Sequence, residues 1–246
     1  IRINDVKTNQ DTIVYTGDVL TIYIIDDLLF KRINFEKVYE DENILVINKP
    51  RNIEVVGNNS LSSLLNEEYS YIYPCHRLDR NTMGLVLFAK NEKSLNILLD
   101  KFKKQEIEKH YLAKVYGIPS KTSQTLSAYL FKDSKKSLVY ILDYPKKGYV
   151  KIITSYTLLE KNEKENYSIL DVELHTGKTH QIRAHLAHIG FPIIGDGKYG
   201  INEINKKFKC QTQELYSYIL KFNFKTDAGI LNYLNNVEIK NKCIFN

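Results

Sequence analysis

The chain has 246 residues, a net charge of +6 and a pI near 8.9, so it can bury one large core, or one core with a small appendage, and its charge accommodates a polyanionic partner. Its three cysteines, Cys75, Cys210 and Cys243, are too few and too irregularly spaced for a disulfide framework or a cysteine-based zinc site. No run approaches the roughly eighteen apolar residues of a membrane helix and no charged-then-apolar leader opens the chain, so a cytoplasmic, membrane-free protein is expected.

From the N-terminus, residues 1–25 read as short strands around a turn at Thr16-Gly17-Asp18, the last strand running Val19 to Ile25. This stretch is acidic rather than basic, with five acidic and two basic residues over 1–30. The sole methionine is Met83, so a segment preceding Ile1 is expected to be missing. Ile44 to Ile47 is an apolar strand ended by Pro50. Ser60 caps a helix reaching toward Glu67. Gly84 to Ala89 is a buried strand, and Asn91 caps a helix whose Leu95, Leu98, Leu99 and Phe102 share a face, with Lys101, Lys103 and Lys104 at its exposed end.

Further strands are expected at 109–116, 138–143, 149–157 and 167–175; in the last, Leu170, Val172 and Leu174 alternate with Asp171, Glu173 and His175. After the turn at Gly177, Thr179 caps a short helix that stops at Gly190. Beyond residue 200 only Ser217 to Phe224 reads clearly as a strand, and the tail receives no chemistry. The basic stretches 132–151, with six basic against two acidic residues, and 205–246, with seven against three, are either phosphate-tracking or solvated faces. The sum is an α+β chain with a large, mostly antiparallel or mixed sheet and few helices.

Two passages concentrate chemistry. His76-Arg77-Leu78-Asp79-Arg80-Asn81-Thr82 holds an acid between two of the chain's six arginines, although lysine is its default base. The planar guanidinium pairs bidentately with carboxylate or phosphate and stacks on bases. Taken alone, the passage serves equally as a capping aspartate with solvated neighbours. The second passage is His175-Thr176-Gly177-Lys178-Thr179-His180-Gln181-Ile182-Arg183. Together with Asn48-Lys49-Pro50, Lys109-His110-Tyr111 and Gly195-Asp196-Gly197-Lys198-Tyr199-Gly200, in this order, the chain resembles the RluA-type family of RNA pseudouridine synthases over about residues 38–200. The start, Ile1-Arg2-Ile3-Asn4 with Gly17-Asp18, resembles the C-terminal half of an S4 RNA-binding domain. The resemblance implies an S4-like remnant at 1–27, a linker at 28–37 and a catalytic domain with a central RNA-binding cleft at 38–246.

It also implies a cofactor-independent, metal-free isomerase acting on RNA, with large-subunit ribosomal RNA expected from the S4-like start, and a monomer as the expected state. In that reaction the bond from ribose to N1 of uridine breaks and the base rejoins through C5. Asp79 attacks or deprotonates the ribose or adds to the base, Arg183 keeps it ionised and Tyr111 stacks on the extracted uracil. Arg77 fills the space of the flipped base, while His76, Arg80, Thr82, Lys178, His180 and Gln181 contact RNA or support the loop. The chain departs from the family at Lys178 (usually Arg), Met83 (usually Ser) and Arg51-Asn52 (usually Ala-Gly).

Three other readings compete. His180, His185 and His188 lack the spacing of one metal site. Gly195, Gly197 and Gly200 spell a dinucleotide fingerprint without an evident following helix, so no nucleotide cofactor is expected. Asp79 with Glu173 forms a conceivable glycosidase pair that leaves the arginines unexplained. At the level of function the alternatives are a non-catalytic RNA-binding protein on the same fold and a nucleoside hydrolase.

Overall fold

The computed structural model describes residues 2–8, 11–21, 34–242 and 245. It divides into two compact units, Ile1–Asn34 and Phe35–Asn246. In the first, β1 (Arg2–Ile3) pairs antiparallel with β2 (Val6–Lys7) and with β3 (Leu20–Thr21). Asn4 and Asp5, with φ of 47° and 65°, make the tight hairpin turn between β1 and β2, a conformation that Asn and Asp tolerate best among non-glycine residues. The Asn4 side chain donates to Asp18 at 2.7 Å and accepts the Val19 N–H at 2.9 Å, tying that hairpin to the turn at Gly17. The rest of the expected strand to Ile25, and most of the expected linker 28–37, lie outside the described residues.

The second unit is built on an eleven-stranded sheet. Its strands are β4 (Glu36–Glu40), β5 (Ile44–Lys49), β6 (Tyr73–Pro74), β7 (Met83–Ala89), β8 (Ile107–Tyr116), β9 (Ser123–Asp133), β10 (Leu138–Leu142), β11 (Val150–Asn162), β12 (Tyr167–Leu174), β13 (Leu215–Phe222) and β14 (Glu238–Lys240). The order is β10-β9-β11-β12-β8-β13-β7-β5-β4, with β14 on β13 and β6 on β7. The β13–β7 pair is parallel and the others described are antiparallel, so the sheet is mixed, as expected. At the parallel contact Gly84 has φ +109°, and a Cβ there would lie 2.1 Å from the Ser217 carbonyl oxygen. Only glycine fits that approach.

Few helices flank the sheet: α1 (Leu61–Leu65), α2 (Glu92–Lys103), α3 (Gln181–His188) and α4 (Asn202–Lys207), besides a 3-10 turn at Gly229–Leu234. Ser60 and Ser63 cap α1 reciprocally, and the Asn91 side chain accepts the Ser94 N–H to start α2. α2 and the 3-10 turn cover the face of β5 and β7 where Val46, Leu85, Leu87, Leu98, Phe222 and Leu231 form the main core. Among the described residues no helix is long and apolar enough to cross a membrane.

Four local expectations are corrected. Lys101 is buried, not exposed: its Nζ bonds Glu106 Oε2 at 2.8 Å, Thr226 O at 2.6 Å and Thr226 Oγ1 at 2.7 Å, because one turn past Leu98 it shares the inward face, while Leu99 points outward. The N-cap of α3 is His180, in the left-handed region at φ 52°, rather than Thr179. A helix, α4, does follow Gly195–Gly200, although it is only six residues long. The strand β9 went unseen because only Leu126, Ala128 and Leu130 of its polar sequence are buried apolar positions.

Candidate active site

The loop between β6 and β7 carries Asp79, and β7 anchors it: the Thr82 N–H closes the turn onto the Asp79 carbonyl at 3.0 Å. Thr82 is buried, its hydroxyl taking a bond from Gln213 at 3.2 Å. On the other flank the fully buried Lys49 donates to the carbonyls of Pro50 (2.8 Å), Ile53 (2.9 Å) and Arg80 (3.0 Å). Burial pulls its ammonium down to about 7, against the opposing fields of Asp79 and Glu54, while its three carbonyl partners match the three N–H donors of the charged form. Arg80 returns the clamp, its Nε bonding the Asn52 carbonyl at 3.2 Å.

Arg183 comes from α3, whose short span is held between the β12 strand exit and the 195–200 loop. Asp196, wholly buried, grips its guanidinium at both Nε (2.6 Å) and NH2 (2.9 Å). The remaining NH1 bonds Asp79 Oδ2 at 2.8 Å. Asp79 Oδ1 has no hydrogen-bond partner among the described residues, and Asp79 lines the cleft. Although burial opposes it, Asp196 and Asp79 push the guanidinium still further into its charged form, so a fixed cation faces the acid. Asp196 is itself held below the ordinary carboxylate range by Arg183 and the N–H groups of Lys198 and Tyr199, which outweigh its burial.

The open cleft beside this pair is lined by Arg77, Asp79, Thr82, Tyr111, His180 and Arg183, among others. Tyr111 stands on β8, is nearly fully buried, and has its phenol pushed far up by burial and then by the charge of Asp79. It is a neutral ring with a polar tip. The His180 Nε2 lies 3.9 Å from Asp79 Oδ2, while its Nδ1 is 2.9 Å from the Tyr199 hydroxyl, which already accepts the Val139 N–H at 2.9 Å. Burial lowers the His180 pKa, with Asp79 opposing, so the ring is neutral at pH 7. Tyr199 also packs under Arg183, 5.3 Å from its guanidinium carbon.

The remaining expected site residues fall into two groups. Arg77 and Lys178 are exposed on the cleft and free to meet a polyanion. Gln181 also lines the cleft, and both ends of its amide are engaged with Thr176, Lys178, Ile153 and Thr154, which fixes the turn leading into α3. His76 is turned inward, accepting the Leu87 N–H at 3.1 Å and packing on Phe102, with burial taking its pKa to about 3. Thr82 and Arg80 hold the acid's loop by the bonds given above. Sequence reasoning passed over Asp196, Tyr199 and Lys49 as site members, although all three stand inside passages it had already singled out.

The competing constellations come apart. His180, His185 and His188 each engage a different partner: Tyr199, Thr154 and Asp143. Glu173 is paired across β12 and β8 with His110, next to the Val172–Tyr111 pair, so strand alternation puts it on the sheet face opposite Tyr111. There Glu108, His110 and Glu173 bring ligand atoms within 4.8 Å of one another, but Lys221 and Asn223 already engage Glu108, and His175 engages Glu173.

Comparison with known proteins agrees with this geometry. The sequence profile of the family described as RNA pseudouridylate synthase matches residues 43–188. Ribosomal large subunit pseudouridine synthase C of Rickettsia bellii is 33% identical over 226 residues, covering 89% of this chain and 72% of that protein. Ribosomal large subunit pseudouridine synthase D of Blochmanniella floridana is 31% identical, covering 89% and 73%. The fold is similar to human RNA Pseudouridylate Synthase Domain Containing 1, with a TM-score of 0.70 at 23% identity over 85% of this chain and 84% of that one. With more than half its length matched, the chain belongs to the RluA-type family of RNA pseudouridine synthases and is an RNA pseudouridine synthase.

Proposed function

We propose that the enzyme isomerises specific uridines of large-subunit ribosomal RNA, in the cytoplasm, with Asp79 as the catalytic acid residue, Arg183 as its electrostatic partner and Tyr111 as the platform for the flipped base. The observation that carries this reading is the 2.8 Å bond from Arg183 NH1 to Asp79 Oδ2 on the same cleft as Tyr111. The guanidinium fixes one oxygen of the carboxylate, and Asp79 lines the space a uridine would enter. The N1–C1′ bond of uridine breaks, C5 bonds C1′, the hydrogen of C5 leaves to solvent as a proton and N1 takes one up, so composition and oxidation state are unchanged and no redox partner is needed. Extracting a base from a loop costs a few kcal/mol, less than from a duplex, and Arg77 at the cleft rim is suited to fill the vacated stack.

The choice of ribosomal RNA rests on the names of the relatives from Rickettsia and Blochmanniella, and on our assignment of residues 1–27 as an S4-like remnant joined by 28–37 to a catalytic domain at 38–246. RNA carrying tritium at C5 of uridine tests the chemistry. Isomerisation releases tritium to water, binding alone releases none, and hydrolysis leaves abasic sites. Asp79→Asn is expected to abolish release while RNA affinity stays within about tenfold, roughly 1.4 kcal/mol. Undiminished release by that variant would overturn the assignment. Mapping pseudouridines in ribosomal RNA from cells lacking the protein tests the target.

A further inference from the structure

Arg51 and Glu214 stand 163 residues apart and form an ion pair at 2.8 Å, with side-chain exposures of 22% and 2%. The pair is made by one nitrogen and one oxygen: Arg51 Nε and Glu214 Oε2 are buried without a hydrogen-bond partner. Desolvating two charges for a single bond is a poor source of stability, and apolar residues of similar volume commonly do as well or better. The position of the pair offers a different account.

Every neighbour of Arg51 is engaged with the loop of the catalytic acid. Lys49 joins the carbonyls of Pro50 and Ile53 to that of Arg80, and the Asn52 carbonyl accepts Arg80 Nε. The backbone of Glu214 and its neighbour Gln213 reach the two sides of the acid–arginine pair. Gln213 bonds Thr82 beyond Asp79, and the Glu214 N–H bonds Ile194 O at 2.9 Å, two residues before the Asp196 that grips Arg183.

We infer that Arg51 and Glu214 are positioning residues that set the Asp79 loop against the Asp196–Arg183 clamp, and so hold Asp79 in register with Arg183. This rests on the roles proposed above for Asp79 and Arg183. Neither member lines the cleft, so their effect belongs to the rate at saturating RNA rather than to affinity.

Tritium release under saturating RNA, RNA affinity and thermal midpoint would be measured for R51M, E214Q, R51K and the double variant R51M/E214L. The two single neutral variants are expected to lose about tenfold in kcat with KM within about threefold. R51K, which keeps a charged donor for the one bond used, should retain at least about a third of the parental rate. The double variant should fold with a thermal midpoint at or above the parent's yet remain slow, a result that a purely structural role does not give. Parental kcat in R51M and in the double variant overturns the inference; if the double variant does not fold, parental kcat in R51M alone does so. D79N in the same assay separates the two claims: an active D79N defeats the catalytic assignment itself, whereas an inactive D79N beside a fast R51M defeats only the positioning role.

Discussion

Asp196 takes two of the three nitrogens of Arg183, at 2.6 and 2.9 Å, and thereby leaves a single one aimed at Asp79. A guanidinium held by its edge in this way cannot rotate, so its third nitrogen becomes a fixed point against which the acid is oriented. Asp196→Asn keeps the shape but substitutes an amide N–H for one acceptor, setting donor against donor within a buried pair. Unfolding in urea is expected to reveal a loss of about 3 kcal/mol. Single-turnover tritium release should slow at least tenfold with RNA affinity little changed; a variant as fast as the parent would show that the acid does not depend on the clamp.

Gly84 sits where β7 runs parallel to β13, and a methyl group there would lie 2.1 Å from the Ser217 carbonyl oxygen and 2.6 Å from its nitrogen, both backbone atoms that cannot swing aside. The left-handed φ of +109° adds backbone strain for any residue with a Cβ. Gly84→Ala should therefore destabilise by more than about 4 kcal/mol, among the largest effects a single methyl produces. Circular dichroism melts would register it, and a melting temperature within a few degrees of the parent's would contradict the close approach.

Much of this was readable in the residues, for identifiable reasons. Strands such as β5 and β7 are apolar runs that only a doubly covered position tolerates, and Asn91 and Ser60 announce their helices by the capping bonds they make. Lys101 was not readable: a lysine is placed outside by default, and only Glu106 and Thr226, brought up after the helix and across 125 residues of chain, make its burial tolerable. Asp196 was hidden by its setting, since the glycines around it advertise a turn, whereas its partner lies on a helix whose packing no local pattern encodes. For Gln181 the resemblance implies a contact with RNA, and what the residues could not show is that its amide also closes a turn through Thr176 and Ile153.

Tyr111 is neutral across the working pH range, because burial and then the charge of Asp79 drive its phenol well above the ordinary value. Its ionisation thus cannot produce a falling alkaline limb below about pH 10, where an unperturbed tyrosine would titrate. The rate–pH profiles of the parent and Tyr111→Phe should run parallel from pH 6 to about 9.5, offset by a constant factor. An alkaline limb present in the parent and absent in the variant would mean that the hydroxyl does titrate. Tyr111→Ala, by contrast, removes the ring and should cost about 3 kcal/mol of stability as well as the stacking surface.

Glu106 gives the fold an acid-sensitive fastening away from the cleft. The bond from Lys101 is the largest of the influences that hold its carboxyl at about 2, against an ordinary value of 4.5, with burial opposing and the N–H groups of Lys225 and Thr226 and the Thr226 hydroxyl assisting. Between these two values the unfolded chain binds the proton and the folded chain does not, so protons favour unfolding. The contribution is fully present above about pH 4.5 and is lost as the pH falls toward 2. Urea midpoints measured from pH 6 down to 2.5 should fall across that window in the parent. Glu106→Gln should start lower at pH 6 and fall less steeply on acidification, and equal slopes for the two proteins would remove Glu106 as the source of the acid sensitivity.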